Sequence, residues 1–360
     1  MGTECKPEPV APGPAARHYW SMRTPAEMIA IAIAAPGGPE MLQPVRQPIP
    51  VPRAGEVLIR VAAAGLNAPD LGQRRGSYAP PPGASPLPGL EVAGEIAALG
   101  DGATGFATGD RVVALTNGGG YAEYVAVPAG QVLPLPSGWT LVEAATIPET
   151  FFTVEQTLVM RAGLEAGMFV LIHGGAGGIG GTAIQVCRLH GARPIAVVSS
   201  AEKATYALSL GAEAAIRHDS EDFVARTMAI TAEHGADRII DMVAGENLER
   251  NIAAAARFGH IVLLATAGGA RAEINAARLM MKQLTLSGST LRPQTAEVKA
   301  SIAASLRAKV WPALADGRIV KPRLQRFALA DAPAAHRALE ERANYGKIVL
   351  VTEFGRDQAN

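Results

Sequence analysis

One segment restricts the possible folds more than any other. The apolar run Phe169-Val170-Leu171-Ile172-His173 passes directly into Gly174-Gly175-Ala176-Gly177-Gly178-Ile179-Gly180-Gly181, and a helical pattern follows through Ile184, Val186 and Leu189. Gly175, Gly177 and Gly180 match G-x-G-x-x-G between a buried strand and a helix, the context that gives the motif its meaning. Glycines allow the tight turn, let a pyrophosphate approach the backbone and let the helix pack closely on the sheet, while the helix N-terminus offers oriented N–H groups. Gly175, Ala176, Gly177, Gly178, Ile179 and Gly180 are therefore the expected phosphate-binding backbone. Strand-like runs recur at Met168–Ile172, Pro194–Val198, Ala214–Ile216, Arg238–Val243, Ile261–Ala265 and Leu284–Ser287. Most of the intervening segments are long enough for crossover helices, so the chain is α/β, with a doubly wound parallel Rossmann sheet.

The choice of dinucleotide is read at the end of the second strand, where an acid would bind the ribose 2′-hydroxyl. Here the sequence runs Val198-Ser199-Ser200-Ala201-Glu202-Lys203, with no acid at the strand tip. Two hydroxyls and a lysine suit a 2′-phosphate, which attracts a point cation. Ser199, Ser200 and Lys203 thus favour NADPH; Glu202 is expected to start the next helix with its carboxylate turned away from the phosphate. Arg217 and His218, at the end of the third strand, are further candidate donors beside the adenosine.

From Met28 to about Val132 the character is different: short β-type runs at Glu56–Val61, Gly89–Ile96, Asp110–Leu115 and Tyr121–Val127, punctuated by Gly and Pro. Residues 1–27, rich in Pro, Ala and small polar residues, show no sustained periodicity and read as a flexible extension. Met28–Ala35 has some likeness to a signal-peptide core, but it is short and leads into Pro-Gly-Gly, so a first strand is expected there. Lysine plus arginine, 33, balance 33 aspartate plus glutamate, leaving no basic excess for nucleic acid or an anionic membrane. Two cysteines cannot build a disulfide framework, which points to a reducing, cytoplasmic setting. No apolar run reaches membrane-spanning length, because Arg257 and His260 interrupt the most apolar region. The expected partner is a small molecule.

Several further stretches carry a family resemblance that covers Met28 to Val351: Pro36-Gly37-Gly38-Pro39-Glu40, Ala64-Gly65-Leu66-Asn67-Ala68-Pro69-Asp70, Arg75-Gly76-Ser77-Tyr78-Ala79-Pro80-Pro81-Pro82-Gly83, Gly89-Leu90-Glu91-Val92-Ala93-Gly94, Gly109-Asp110-Arg111-Val112, Gly119-Gly120-Tyr121-Ala122-Glu123-Tyr124 and Asn344-Tyr345-Gly346-Lys347-Ile348-Val349. With these the chain resembles the zinc-free, zeta-crystallin-like quinone oxidoreductases of the medium-chain dehydrogenase/reductase superfamily, and the Tyr-x-Pro-Pro-Pro-Gly-Ala run is most similar to the tumour-suppressor-inducible subgroup. The resemblance implies a GroES-like, β-rich catalytic domain from residue 28 to about 153, an NADP-binding Rossmann domain at about 154–290, and a return to the catalytic domain over 291–360. It implies a homodimer paired through the last Rossmann strand. Zinc alcohol dehydrogenases of the superfamily place a cysteine near Leu66-Asn67 and a histidine where Leu90 stands. Leucine offers no lone pair, and catalytic zinc needs about three N, S or O ligands, so no metal is expected.

The same resemblance points to Asn67, Tyr78 and Thr153 as catalytic residues. An amide at Asn67 stabilises developing negative charge without titrating, the Tyr78 phenol offers a hydroxyl and an aromatic edge to a flat acceptor, and Thr153 would meet the nicotinamide. Thr266 and Ala267, after the fifth strand, and Lys347 are expected beside the cofactor, and Phe151 and Phe152 at an apolar cleft entrance. Without a Lewis acid the reaction suits an acceptor that spreads charge by conjugation. The expected function is NADPH-dependent reduction of quinones. Alternatives are reduction of enoyl or 2-alkenal double bonds on the same scaffold, and a non-catalytic NADPH-binding role, crystallin-like or RNA-binding; neutral charge and sparse aromatics argue against RNA.

Overall fold

The computed structural model describes residues 25–341 and 345–358. Residues 1–24 of the expected flexible extension, and Asn344 of the Asn-Tyr-Gly-Lys motif, lie outside the described residues. Strand β1 (Glu27–Ile33) pairs antiparallel with β2 (Leu42–Pro48), so the stretch around Met28 is a strand. A seven-stranded sheet follows, whose first five strands are β3 (Glu56–Gly65), β4 (Glu91–Leu99), β5 (Arg111–Leu115), β6 (Tyr124–Pro128) and β7 (Val132–Pro134) and whose last two come from the end of the chain.

The second sheet has six strands, all paired in parallel: β8 (Phe169–His173), β9 (Arg193–Val198), β10 (Ala214–Arg217), β11 (Ala236–Asp241), β12 (Ala255–Leu263) and β13 (Thr285–Gly288). Their order is β10-β9-β8-β11-β12-β13. The chain winds one way from β8 and the other way from β11, so the crevice beyond the carboxyl ends of those two strands is the topological switch point where such sheets take ligands. Every residue of β8 is buried, as expected for a central strand covered on both faces. The chain then returns: β14 (Leu324–Ala328) pairs with β15 (Lys347–Val351), and β15 pairs antiparallel with β3 through Val349↔Gly65, Leu350↔Ala64 and Val351↔Ala63.

Six helices position the site. They are α1 (Ala68–Arg74), α2 (Pro148–Val154, continuing as a π-helix over Glu155–Arg161), α3 (Gly178–Leu189), α4 (Ala201–Ser209), α5 (Ala296–Lys309) and α6 (Ala332–Glu340). Helix α2 packs on α3 from the parallel sheet and on β4 and β5 from the other, and is therefore buried almost all round. This corrects the expectation for the two phenylalanines. Phe151 and Phe152, 4% and 0% exposed, belong to the aliphatic core that joins the two sheets instead of forming an open entrance. Strand β12 also starts six residues before the expected Ile261, because Phe258 takes a left-handed conformation (φ 64°) and the ladder to β11 shifts register, which breaks the period-2 pattern.

Candidate active site

The turn after β8 is closed by main-chain bonds from Gly175 N to Val197 O (3.1 Å) and from Gly177 N to Gly174 O (3.0 Å). A Cβ on Gly180 would lie 2.3 Å from the Gly174 carbonyl oxygen, and one on Gly175 would lie 2.6 Å from Ala196 Cβ, so both glycines are required by close approach. Gly177 caps α3 without a side-chain acceptor, which leaves the N–H groups of the first turn available to an anion. These features fit the pyrophosphate of a dinucleotide. At the end of β9, Ser200 caps α4 by accepting from Lys203 N (3.3 Å), and Lys203 Nζ donates to Ser199 Oγ (3.1 Å). The hydroxyls and the ammonium read from the sequence are thus together. Glu202 lies on the first turn of α4, as expected, and its exposed carboxylate is held below the usual range by its own main chain and then by the Ser200 hydroxyl. Arg217 is bound to Asp219 (2.8 Å), while the exposed His218 donates its main-chain N–H to Val198 O (3.0 Å). Thr266 and Ala267 are exposed in the loop after β12.

Where the two sheets meet, a polar cluster is buried. Lys347 Nζ donates to Glu91 Oε1 (2.6 Å) and Asn67 Oδ1 (2.7 Å), and Asn67 Nδ2 donates to Glu91 Oε1 (2.9 Å). The lysine stem crosses the start of α3, since a Cβ on Gly178 would meet Lys347 Cδ at 2.7 Å. Gly346 N bonds the Ala176 carbonyl (3.0 Å), so the segment carrying Lys347 is stitched to the glycine turn. In this state the Lys347 charge lies against Glu91, and the Asn67 amide is bonded on both its oxygen and its nitrogen. Asp70, on α1, accepts from Asn67 N (2.9 Å) and Gly89 N (3.0 Å); burial pushes its carboxyl up to about 6 against those two bonds.

Next to this lies the pair of cations the sequence did not disclose. Arg292 donates through Nη2 to Gln73 Oε1 (2.8 Å) and through Nε and Nη2 to the Asn117 carbonyl, and its Nη1 is buried without a partner. Lys299, on α5, braces the same group by donating to Asn117 Oδ1 (2.5 Å) and the Arg292 carbonyl (2.8 Å), and burial lowers its ammonium to about 8. The Arg292 guanidinium stands 5.4 Å from the centre of the Tyr78 ring. Tyr78 is half-buried, with its phenol raised by burial first and then by Glu149. Thr153 is buried on α2. Glu149, on the first turn of α2, donates its N–H to Glu91 Oε2 (2.9 Å). Glu91 and Asp70 stood inside recognisable motifs, Gly-Leu-Glu and Asn-Ala-Pro-Asp. Nothing local singles out Arg292 or Lys299, which reach the site from after the sixth strand.

A glycine turn at the switch point of a parallel sheet, facing a polar cluster on a second, β-rich sheet, defines a two-sheet dinucleotide oxidoreductase. The alcohol dehydrogenase GroES-like domain family matches residues 53–137, and the zinc-binding dehydrogenase family matches residues 178–306. The chain is 34% identical to the quinone oxidoreductase of Homo sapiens over 78% of its own length and 85% of that protein. Among solved structures it is similar to a mycobacterial protein complexed with NADPH (TM-score 0.80, 32% identity, 90% of this chain and 100% of that one) and to the CurK enoyl reductase (TM-score 0.80, 25% identity, 91% and 100%). The chain belongs to the quinone oxidoreductase family of the medium-chain dehydrogenase/reductase superfamily.

The matched zinc family raises the question of a metal. The residues present do not fit zinc: Leu90 is buried with no donor atom, Asn67 is occupied by Lys347 and Glu91, and an ammonium already neutralises Glu91. Among the described residues no group of three or more His, Cys, Asp or Glu side chains is arranged to hold a metal ion. No helix among them is long and apolar enough to cross a membrane.

Proposed function

We propose that this protein reduces quinones with NADPH, without a metal, as a cytoplasmic homodimer. The observation that carries the reading is the convergence of Tyr78, Glu149 and the braced Arg292 beside a cluster whose residues do not suit zinc. When bound, NADPH supplies the hydride. The glycine turn and the α3 N-terminus hold its pyrophosphate, and Ser199, Ser200 and Lys203 hold the 2′-phosphate through charge-assisted hydrogen bonds. Arg292 and Lys299 place positive charge where the acceptor oxygen gains negative charge, and they are already braced, so little reorganisation accompanies reaction. Asn67 fixes the Lys347–Glu91 pair that forms the floor. Tyr78 offers its hydroxyl and ring edge to a flat acceptor.

A second reading, reduction of enoyl or 2-alkenal double bonds, draws on the likeness to the enoyl reductase, since the same cations would support an enolate oxygen. NADPH oxidation followed by absorbance against quinones, 2-alkenals and enoyl thioesters decides between them. Turnover of quinones in preference to the others is expected. Turnover of the alkenes alone would move the assignment to the second reading, and tight NADPH binding with no turnover would move it to a non-catalytic role.

A further inference from the structure

We propose that Glu149 is the acid that gives the acceptor its proton after hydride has arrived, an inference that rests on the reductase reading above. Three carboxyl groups share this region, and two are shut away: Glu91 is 0% exposed and paired with Lys347, and Asp70 is 1% exposed and capped by two N–H groups. Glu149 alone of the three is partly exposed at the residue level, and its carboxyl oxygens make no hydrogen bond or ion pair among the described residues. Its position is nevertheless well determined, because its own N–H is tied to Glu91 Oε2 at 2.9 Å and it lies on the first turn of a helix packed between the sheets.

The groups around it favour a neutral acid that is recharged readily. Glu91 from β4 and Asp70 from α1 oppose its ionisation, Lys347 from β15 and Lys299 from α5 assist it, and it acts in turn on Tyr78 and on Arg292. Burial is the largest influence and raises the carboxyl to about 8, so Glu149 carries its proton at neutral pH. In the step, a quinone that has accepted hydride is a hydroquinone monoanion. The Glu149 O–H bond breaks as the second hydroquinone O–H forms, the carboxylate stays beside Lys299 and Arg292, and water returns the proton. The quinone is reduced by two electrons and the nicotinamide oxidised by two, so the step balances without another reactant.

The test compares wild type with Glu149→Gln and Glu149→Asp. With a quinone acceptor, wild-type kcat is expected to fall as pH rises through about 8. Glu149→Gln is expected to lose about 100-fold in kcat at neutral pH, within the usual range for general acid catalysis, with unchanged NADPH affinity and no fall across that pH range. Glu149→Asp should keep the pH-dependent fall. A second readout needs no turnover: infrared titration of the protein alone should show a protonated carboxyl band that disappears through the same pH range and is missing from Glu149→Gln. Active wild type with an unaltered rate and profile in Glu149→Gln, or an infrared band that the substitution leaves in place, would overturn the proposal while leaving the reductase reading intact. Wild type inactive on every acceptor would overturn both.

Discussion

Lys347 Nζ lies 2.6 Å from Glu91 Oε1, with the two side chains 5% and 0% exposed, and this contact fastens β15 to β4. Removing one member leaves the other charge buried and unpaired, at a cost of roughly 3–5 kcal/mol. Lys347→Met is therefore expected to lower the urea midpoint substantially, and the double variant Lys347→Met/Glu91→Gln to recover part of the loss. Equal destabilisation in the single and double variants would show that packing, not charge, sets the cost.

Cofactor choice is expected to follow Lys203. A hydrogen bond to a charged group contributes about 1.5–3 kcal/mol, or roughly 10- to 100-fold in affinity. Lys203→Glu should weaken NADPH by at least that factor and NADH only slightly, measured by fluorescence titration of each. Equal effects on the two would remove the basis for a 2′-phosphate site.

His336, on α6, is buried between Arg74 Nη1 (3.2 Å) and the Tyr121 hydroxyl (3.3 Å). Burial, and after it the Arg74 charge, depress its imidazole to about 3. An unfolded histidine titrates near about 6.5, so the neutral native ring contributes its full stability above that pH. That contribution declines as pH falls from about 6.5 towards 3, by roughly 4–5 kcal/mol in all. His336→Gln should flatten the acid limb of the stability curve. An acid-unfolding midpoint and slope identical to wild type would refute this assignment.

The parallel sheet ends at β13, an edge strand beside which Phe258, Met280 and Met281 are 63%, 66% and 73% exposed. Phe258 N bonds the Lys282 carbonyl (2.8 Å), which brings the turn carrying Phe258 beside the end of the helix Ala276–Met281 that carries the two methionines. An uncovered edge of this kind is a template for pairing with a second copy. Light scattering is expected to give a dimer for wild type and a monomer for Met281→Glu combined with Leu286→Glu. A wild-type monomer at micromolar concentration would exclude the edge as an interface.

Gly175 and Gly180 were legible because their requirement arises within one βαβ unit: a Cβ on Gly180 would strike the turn itself, and one on Gly175 would strike Ala196 on the next strand. Ser199, Ser200 and Lys203 were legible for the same reason, since a strand end and a helix cap fall within a few residues. The partners of Glu202 and Arg217, Ser200 for one and Asp219 for the other, were not legible, because side-chain direction depends on which neighbour is chosen. Phe151 and Phe152 look alike at a cleft and in a core, and only the packing of α2 between two sheets separates those possibilities.

The sequence by itself determined the alternation of strands and helices, the phosphate-binding turn, and the absence of a ligand atom at Leu90, since each is written in residue type and short-range spacing. The tertiary structure decided which charges meet. Glu91 is 256 residues from Lys347, and Arg292 is 219 residues from Gln73. Pairs so distant in the chain are brought within 3 Å by the return of β15 to β3 and of the segment after β13 to α1. Their ionisation then depends on burial and neighbouring charge, which composition does not specify.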